Sequence, residues 1–303
     1  MGPGLPGPFF YGPTTPTGLR VEPGFCGSRF RAPRQRESKK RTDKQRRRAR
    51  LRFFGKVIGM NEIMKTTAAV FHIAPGMTPE VIEFAKEIQG KRLGEHEASR
   101  RGLGITHERA WIEVTNAGDL LIFYFEGGDL DRSMMIIGES DNLHDIWFRE
   151  KIFALTGYDL CDYRQIKPAE LLYESPEAGT KPADSVATVF PVLTGKLDDF
   201  RQWLHTATVT RVAEYREYQQ RFGLTGERFF LKHSPEGDMI IMYAEGNEPA
   251  SSIARFARSS HPYDVWMREE LLNLSGIDFI RRQTAPPPYL ALEWKMPAGV
   301  KAA

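Results

Sequence analysis

The chain has 303 residues, 41% of them apolar, with 42 Lys and Arg against 39 Asp and Glu, and this length suggests about two domains of roughly 100–200 residues each. The net charge of +3 hides a division: residues 1–64 hold 15 Lys and Arg against 4 Asp and Glu, whereas 65–303 hold 27 against 35, so the folded part is acidic and is not expected to bind nucleic acid. Two cysteines with no spacing partner, Cys26 and Cys161, exclude a disulfide framework or a Cys-based zinc site, and no apolar run approaches the roughly 18–20 residues of a membrane span, so a cytoplasmic protein without a membrane partner is expected.

Residues 1–64 read as a disordered basic extension: Gly/Pro-rich at first, without period, then dense in Lys and Arg from Lys39 to Arg50. That run fits a nuclear address, an organelle-targeting segment or a nucleic-acid arm. Met60 and Met64 stand directly before the first periodic segment, so a start there is an alternative reading. Residues 67–73 are short, apolar and partly β-branched, which predicts a strand that Pro75 and Gly76 break. Thr78, Pro79 and Glu80 supply helix-start chemistry, and one long helix is predicted to about 101, with a counterpart over 197–221. A hairpin follows, 108–114 and 119–126 around Thr115-Asn-Ala-Gly118; its second strand is apolar on both faces and should be covered on both sides. A short helix at 129–138 leads to a helix at 142–155 that Gly157 stops, and 158–163 reads as a last strand.

The chain then repeats itself. Asp145-Ile-Trp147-Phe-Arg149-Glu150 recurs 119 residues later as Asp264-Val-Trp266-Met-Arg268-Glu269, and 71–159 against 190–278 share 23 identities in 89 positions without a gap. The division read from this is an extension over 1–64, repeat 1 over 65–165, a linker over 166–184, repeat 2 over 185–283 and a tail over 284–303. Strand, helix, strand, strand, helix, strand is the ferredoxin-like order, which leaves one sheet face bare unless a second unit covers it. With this order duplicated, the chain over 66–283 resembles the dimeric α+β barrel superfamily, in particular its tandem-fused members. The resemblance implies an α+β fold of two tandem ferredoxin-like repeats forming an intrachain pseudo-dimeric barrel, a monomer by that internal pairing and open to further self-association. It implies small-molecule binding between helices and sheet or inside the barrel, in a superfamily that includes haem-degrading monooxygenases, cofactor-free oxygenases and stress proteins. No catalytic motif carries over.

Candidate site residues come from the hairpin. If Val114 pairs with Asp119, Arg109 lies opposite Tyr124 with Glu126 diagonal and Trp111 beside them, and the second copy repeats this as Arg228, Tyr243 and Glu245. Charged groups on a covered face are costly unless paired. The residues are read either as a satisfied Arg–Glu bridge or as a catalytic pocket in each half, with Arg on an anionic or carbonyl oxygen, Tyr as donor and Glu as base. Arg92 and His96 on the inward helix stripe, and Arg211 and Tyr215 in the second copy, would complete ligand binding. An inward His96 raises haem ligation, but a lone core histidine is more often a packed residue; no cofactor and no metal are expected. In the repeated helix motif, Asp145 with Arg149 and Asp264 with Arg268 have the spacing of helical ion pairs, and Trp147 and Trp266 would anchor the helix to the sheet. The functional reading is a small-molecule-binding barrel, as a cofactor-light oxygenase or isomerase, with a non-catalytic stress-associated barrel as the alternative.

Overall fold

The apolar runs predicted as strands pair into two sheets. In a computed structural model, which describes residues 65–162, 167–175, 184–234, 237–282, 286–297 and 299, β1 (Thr66–His72), β2 (Ile105–Glu113) and β3 (Leu120–Gly127) come from repeat 1. Strands β5 (Asp184–Pro191), β6 (Leu224–Ser234) and β7 (Gly237–Gly246) are their counterparts. The expectations for 1–64, including the alternative starts, lie outside the described residues. The remaining strands, β4 (Glu170–Glu174) and β8 (Tyr289–Lys295), change sides. Sheet 1 runs β1-β3-β2-β8 and sheet 2 runs β4-β6-β7-β5, all antiparallel. Each repeat therefore lends its fourth strand to the other repeat's sheet.

Period-2 alternation decides what each sheet face meets. Val70, Trp111, Ile122 and Tyr124 of sheet 1 pack directly on Val189, Phe230, Ile241 and Tyr243 of sheet 2. The alternate residues, such as Phe71, Phe123 and Phe125, face an outer helix layer that contributes Phe84, Ile88, Phe148 and Ile152, and sheet 2 carries its own helix layer in the same way. The result is an α+β protein in which two tandem ferredoxin-like repeats close on each other as an intrachain pseudo-dimeric α+β barrel. Leu120 to Phe125 are all buried, as a strand covered on both faces must be.

Several local expectations are corrected. The last strand is not at 158–163, where Leu160 and Cys161 lie in a turn and Tyr163 falls outside the described residues. Its place is taken by Glu170–Glu174, inside the segment read as linker, and β8 lies likewise in the segment read as tail. The long helix is two helices in each repeat. α1 (Thr78–Gln89) and α2 (Leu93–Gly102) part at Gly90, whereas α5 (Leu197–His205) and α6 (Val212–Phe222) are separated by a π-helical turn at Thr206–Thr210, whose residues Thr-Ala-Thr-Val-Thr are mostly β-branched. A glycine and a crowded β-branched run are both weak helix formers, and a π-turn is a common site of interruption.

The repeated motif helix, α4 (Leu143–Thr156) after α3 (Leu130–Glu139) and α8 (Pro262–Ser275) after α7 (Pro249–Arg258), ends at Gly157 and Gly276, which adopt φ of 77° and 73°. The expected Asp–Arg ion pairs do not form. Arg149 instead donates to the carbonyls of Ile137 and Ser140, at 2.5 and 2.9 Å, and Arg268 does the same to Phe256 and Ser259. Asp145 accepts from Ser99 and Ser140, and Asp264 from Arg221 and Ser259. The motif arginines thus clip the end of the preceding helix, where orphan helix carbonyls need donors, and the aspartates accept from the serine at that same end. The tryptophans pack against the core of their own repeat and also lie under arginines: Trp147 under Arg92, 4.2 Å from ring centroid to guanidinium, and Trp266 under Arg211 at 4.1 Å.

Candidate functional site

The six hairpin residues meet in one cluster. Arg109 lies opposite Tyr124 and Arg228 opposite Tyr243 in the hairpin register, as expected. Because these residues face the partner sheet, the two constellations merge at the seam instead of forming one pocket per half. The Tyr124 and Tyr243 rings stack face to face, 3.8 Å apart and 4° from parallel. Arg109 crosses the seam: its Nη1 donates to the Tyr243 hydroxyl and, at 3.3 Å, to Glu245, while its Nε donates to Glu293 at 2.9 Å. Arg228 donates to Glu174 at 2.6 Å and lies 3.8 Å from Glu245. Glu174 and Glu293 sit on the exchanged strands and are themselves 119 residues apart. Tyr124 donates to Glu126 at 3.0 Å, and Tyr243 donates to Glu245. Trp111 packs edge-on against Tyr243, its indole N–H without a partner among the described residues.

Electrostatics fix the states of these groups. Burial opposes ionisation of Glu126, but His107, Tyr124 and Arg228 outweigh it and hold the carboxyl down at about 2. Burial pushes both tyrosine hydroxyls well above their ordinary value, so they act as donors and not as phenolates. Burial lowers the affinity of Arg228 for its proton, yet Tyr124, Glu174 and Glu245 raise it overall. Besides Trp111, which is Phe230 in repeat 2, the halves differ at His107: it lies 3.6 Å from Glu126 and 3.4 Å from Glu293 and is replaced by Gly226, against which Glu245 packs.

Beside this cluster opens a cleft of about 460 Å³ with Arg109 and Glu293 in its wall. Asp184 and Ser185 at the start of β5, Glu248 and the first turn of α7, and Pro287, Pro288 and Leu290 before and within β8 complete it. Glu248 has φ of 54°, the one positive φ outside glycine among the described residues, a conformation that costs energy for a side-chain-bearing residue.

The helix residues expected to complete this site do not reach it. Arg92 and Arg211 stack on the motif tryptophans and pair with Glu95 and Glu214 at 2.6 Å. His96 and Tyr215 lie on the far face of their sheets, because neighbours along a strand point in opposite directions and their partners are Glu108 and Glu227, one residue before each arginine. His96 Nδ1 lies 3.2 Å from His144 Nε2, and its Nε2 lies 3.3 Å from Glu108, at ion-pair distance without hydrogen-bond alignment. Both ring nitrogens thus face protein groups and neither points into open space, where a haem iron would have to sit. Arg100 grips Glu108 through Nε and, at 3.3 Å, Nη2. Burial alone would raise the Glu108 carboxyl, but Arg100 and His96 bring it to about 2. In repeat 2, Tyr215 donates to Glu227 at 2.7 Å and Gln219 at 3.1 Å. With neutral partners in place of Arg100 and His96, burial lifts Glu227 to about 7. Glu108 and Glu227 stood in the repeat alignment without a role; the alternation that sends Arg109 one way sends Glu108 the other, and that signal could have found them.

Among the described residues, no group of three or more His, Cys, Asp or Glu is placed to hold a metal, and no helix is long and apolar enough to cross a membrane. Removing the Tyr243 hydroxyl, which both accepts from Arg109 and donates to Glu245, is expected to cost about 1–3 kcal/mol, more than the same change at Tyr124, whose hydroxyl bonds to Glu126 alone among the described residues. Urea melts of Tyr243→Phe and Tyr124→Phe measure this, and equal losses would mean that the Arg109 contact adds nothing.

No family model matches the chain, and no curated protein matches it. Among solved structures, a proposed monooxygenase from Fusobacterium nucleatum subsp. nucleatum ATCC 25586 is 8% identical with a TM-score of 0.43, over 80% of this chain and 98% of that one. An anthrone oxidase-like protein is 14% identical with a TM-score of 0.40, over 81% and 99%. A proposed monooxygenase from Lactobacillus acidophilus NCFM is 9% identical with a TM-score of 0.41, over 77% and 100%. Similarities of this size carry no argument about what this chain binds.

Proposed function

We propose that this protein is a small-molecule-binding α+β barrel, a tandem-fused member of the dimeric α+β barrel superfamily, whose ligand sits in the cleft against Arg109. The observation that carries this reading is the cleft itself: about 460 Å³ lies within the roughly 300–1,000 Å³ of small-molecule sites, while the space between the sheets is filled by Trp111, Tyr124, Phe230 and Tyr243. Its charge selects the ligand. Arg109 is already neutralised by Glu293 and Glu245, which leaves Asp184 and Glu248 as a negative surplus, so a neutral or cationic molecule fits better than the anion that an arginine alone would suggest. Its apolar body would rest on Pro249, Pro287 and Leu290. Glu245, shared between Tyr243 and Arg109, is no free base, and this favours binding over oxygenase or isomerase chemistry at the cluster.

Thermal shifts with a panel of small aliphatic amines and the matching carboxylates test the reading. Amines should stabilise the wild type, and Asp184→Asn with Glu248→Gln should lose that shift; stabilisation by carboxylates alone would overturn it. A non-catalytic structural barrel is the second reading, favoured by the pairing of both arginines and both tyrosines within the cluster.

A further inference from the structure

Between the outer face of sheet 1 and its helices lies an apolar cavity of about 40 Å³, lined by Phe71, Phe123, Phe125, Ile137, Phe148 and Leu160 among others, with Arg100 as the charged part of its wall. This is about three times the roughly 10–15 Å³ that one water needs, so it holds a molecule of two or three heavy atoms. The lining is apolar apart from Arg100, whose Nε and Nη2 hold Glu108, whose Nη1 holds Ser99 and whose plane lies 4.5 Å from the Phe148 ring. Three of its five N–H groups are thereby engaged, and with no other polar group in the wall a water finds fewer than the several partners it needs, whereas apolar cavities accept small apolar molecules.

The second repeat supplies an internal control. At the 119-related positions, Phe256 stands for Ile137 and Phe279 for Leu160, and these two rings meet edge to face, 5.5 Å apart, within the repeat 2 core. Gln219 takes the place of Arg100. Repeat 2 thus places aromatic rings at two of the lining positions, while Met242, Ala244 and Met267 stand for Phe123, Phe125 and Phe148.

We infer that the first repeat holds a binding site for a small apolar molecule of two or three heavy atoms, such as a dissolved gas, in the cavity between Ile137 and Leu160. The site is independent of the cleft, so its test does not depend on the reading proposed above. Xenon and dioxygen are the probes. Crystals of the full chain under xenon pressure should show one xenon between Ile137 and Leu160 and none beside Phe279. Under dioxygen pressure, the methyl signals of Ile137, Ile152 and Leu160 should relax faster than those of Ile253 and Leu271. Leu160→Phe with Ile137→Phe, the residues that repeat 2 has at these positions, should abolish both effects in a folded protein. Should that variant not fold, Phe279→Leu with Phe256→Ile should instead create a second xenon site in repeat 2. Absence of xenon from the wild-type cavity, equal dioxygen relaxation in the two halves, or xenon binding that survives the paired Phe substitutions would overturn the inference.

Discussion

Glu108→Gln is expected to cost about 3–5 kcal/mol, whereas Glu227→Gln, the same change 119 residues later, is expected to raise stability at pH 8 by about 3 kcal/mol. The two carboxyls are both fully buried and occupy equivalent strand positions. What differs is the company. Glu108 is the counter-charge of Arg100, itself 0% exposed, and removing it strands a buried cation. Glu227 meets Tyr215 and Gln219, and the lift of its carboxyl from 4.5 to about 7 means that ionisation works against the fold.

The pH dependences have opposite signs. Glu227 binds its proton more tightly folded than unfolded, so its contribution is fully present below pH 4.5 and is lost as pH rises to about 7. Glu108 binds its proton less tightly folded, so its contribution is present above pH 4.5 and is lost as pH falls towards 2. Urea denaturation of the wild type and both variants at pH 5 and pH 8 measures this. If Glu227→Gln gained no more at pH 8 than at pH 5, the carboxyl would have to be ionised throughout, and the account of its surroundings would fail.

Ending the chain before Pro286 is expected to abolish cooperative folding. The truncation removes β8, and with it Leu292 and Trp294, which are 2% and 4% exposed in the core under the repeat 1 helices, and Glu293, the partner of Arg109. Losing one buried tryptophan side chain costs about 3–5 kcal/mol, against a total stability of roughly 5–15 kcal/mol for a domain. Strand β2 would also be left as an open edge, which invites pairing with other chains. By the same reasoning, residues 65–165 expressed alone lack the strand that completes their sheet and should self-associate. Gel filtration and a circular dichroism melt report the result, and a monomer that melts as sharply as the full chain would defeat it.

The hairpin was legible because its turn fixes its register: Gly118 and Asp119 set the pairing, and Arg109 had to fall opposite Tyr124. The strand exchange was not. Glu170–Glu174 is five residues long and mostly exposed or half-buried, too short and too weakly alternating to show a period, and β8 stands beside a run of prolines. The repeat does continue into both, through Leu171 with Leu290 and Glu174 with Glu293, but two matches within five residues are too few to separate a strand from a linker. The single cluster was equally hidden, since periodicity tells which residues share a face and not which residues of another sheet will meet them. The break between α1 and α2 was written in Gly90, but α5 and α6 carry no glycine at their break, and the helical stripe that runs through both hides it.

Arg109 and Glu293 are neighbours in sheet 1 yet stand 184 residues apart in the chain. At the roughly 5–20 residues per second of synthesis, the first repeat emerges on the order of ten seconds before the strand that finishes it. During that interval the nascent chain offers the open edge of β2 one substitute of its own, β4, which carries an equivalent leucine and glutamate at the same spacing. The duplication that lets the halves complete each other therefore also places a strand equivalent to β8 much nearer to β2 in the chain, and the finished barrel pairs that strand with β6 instead.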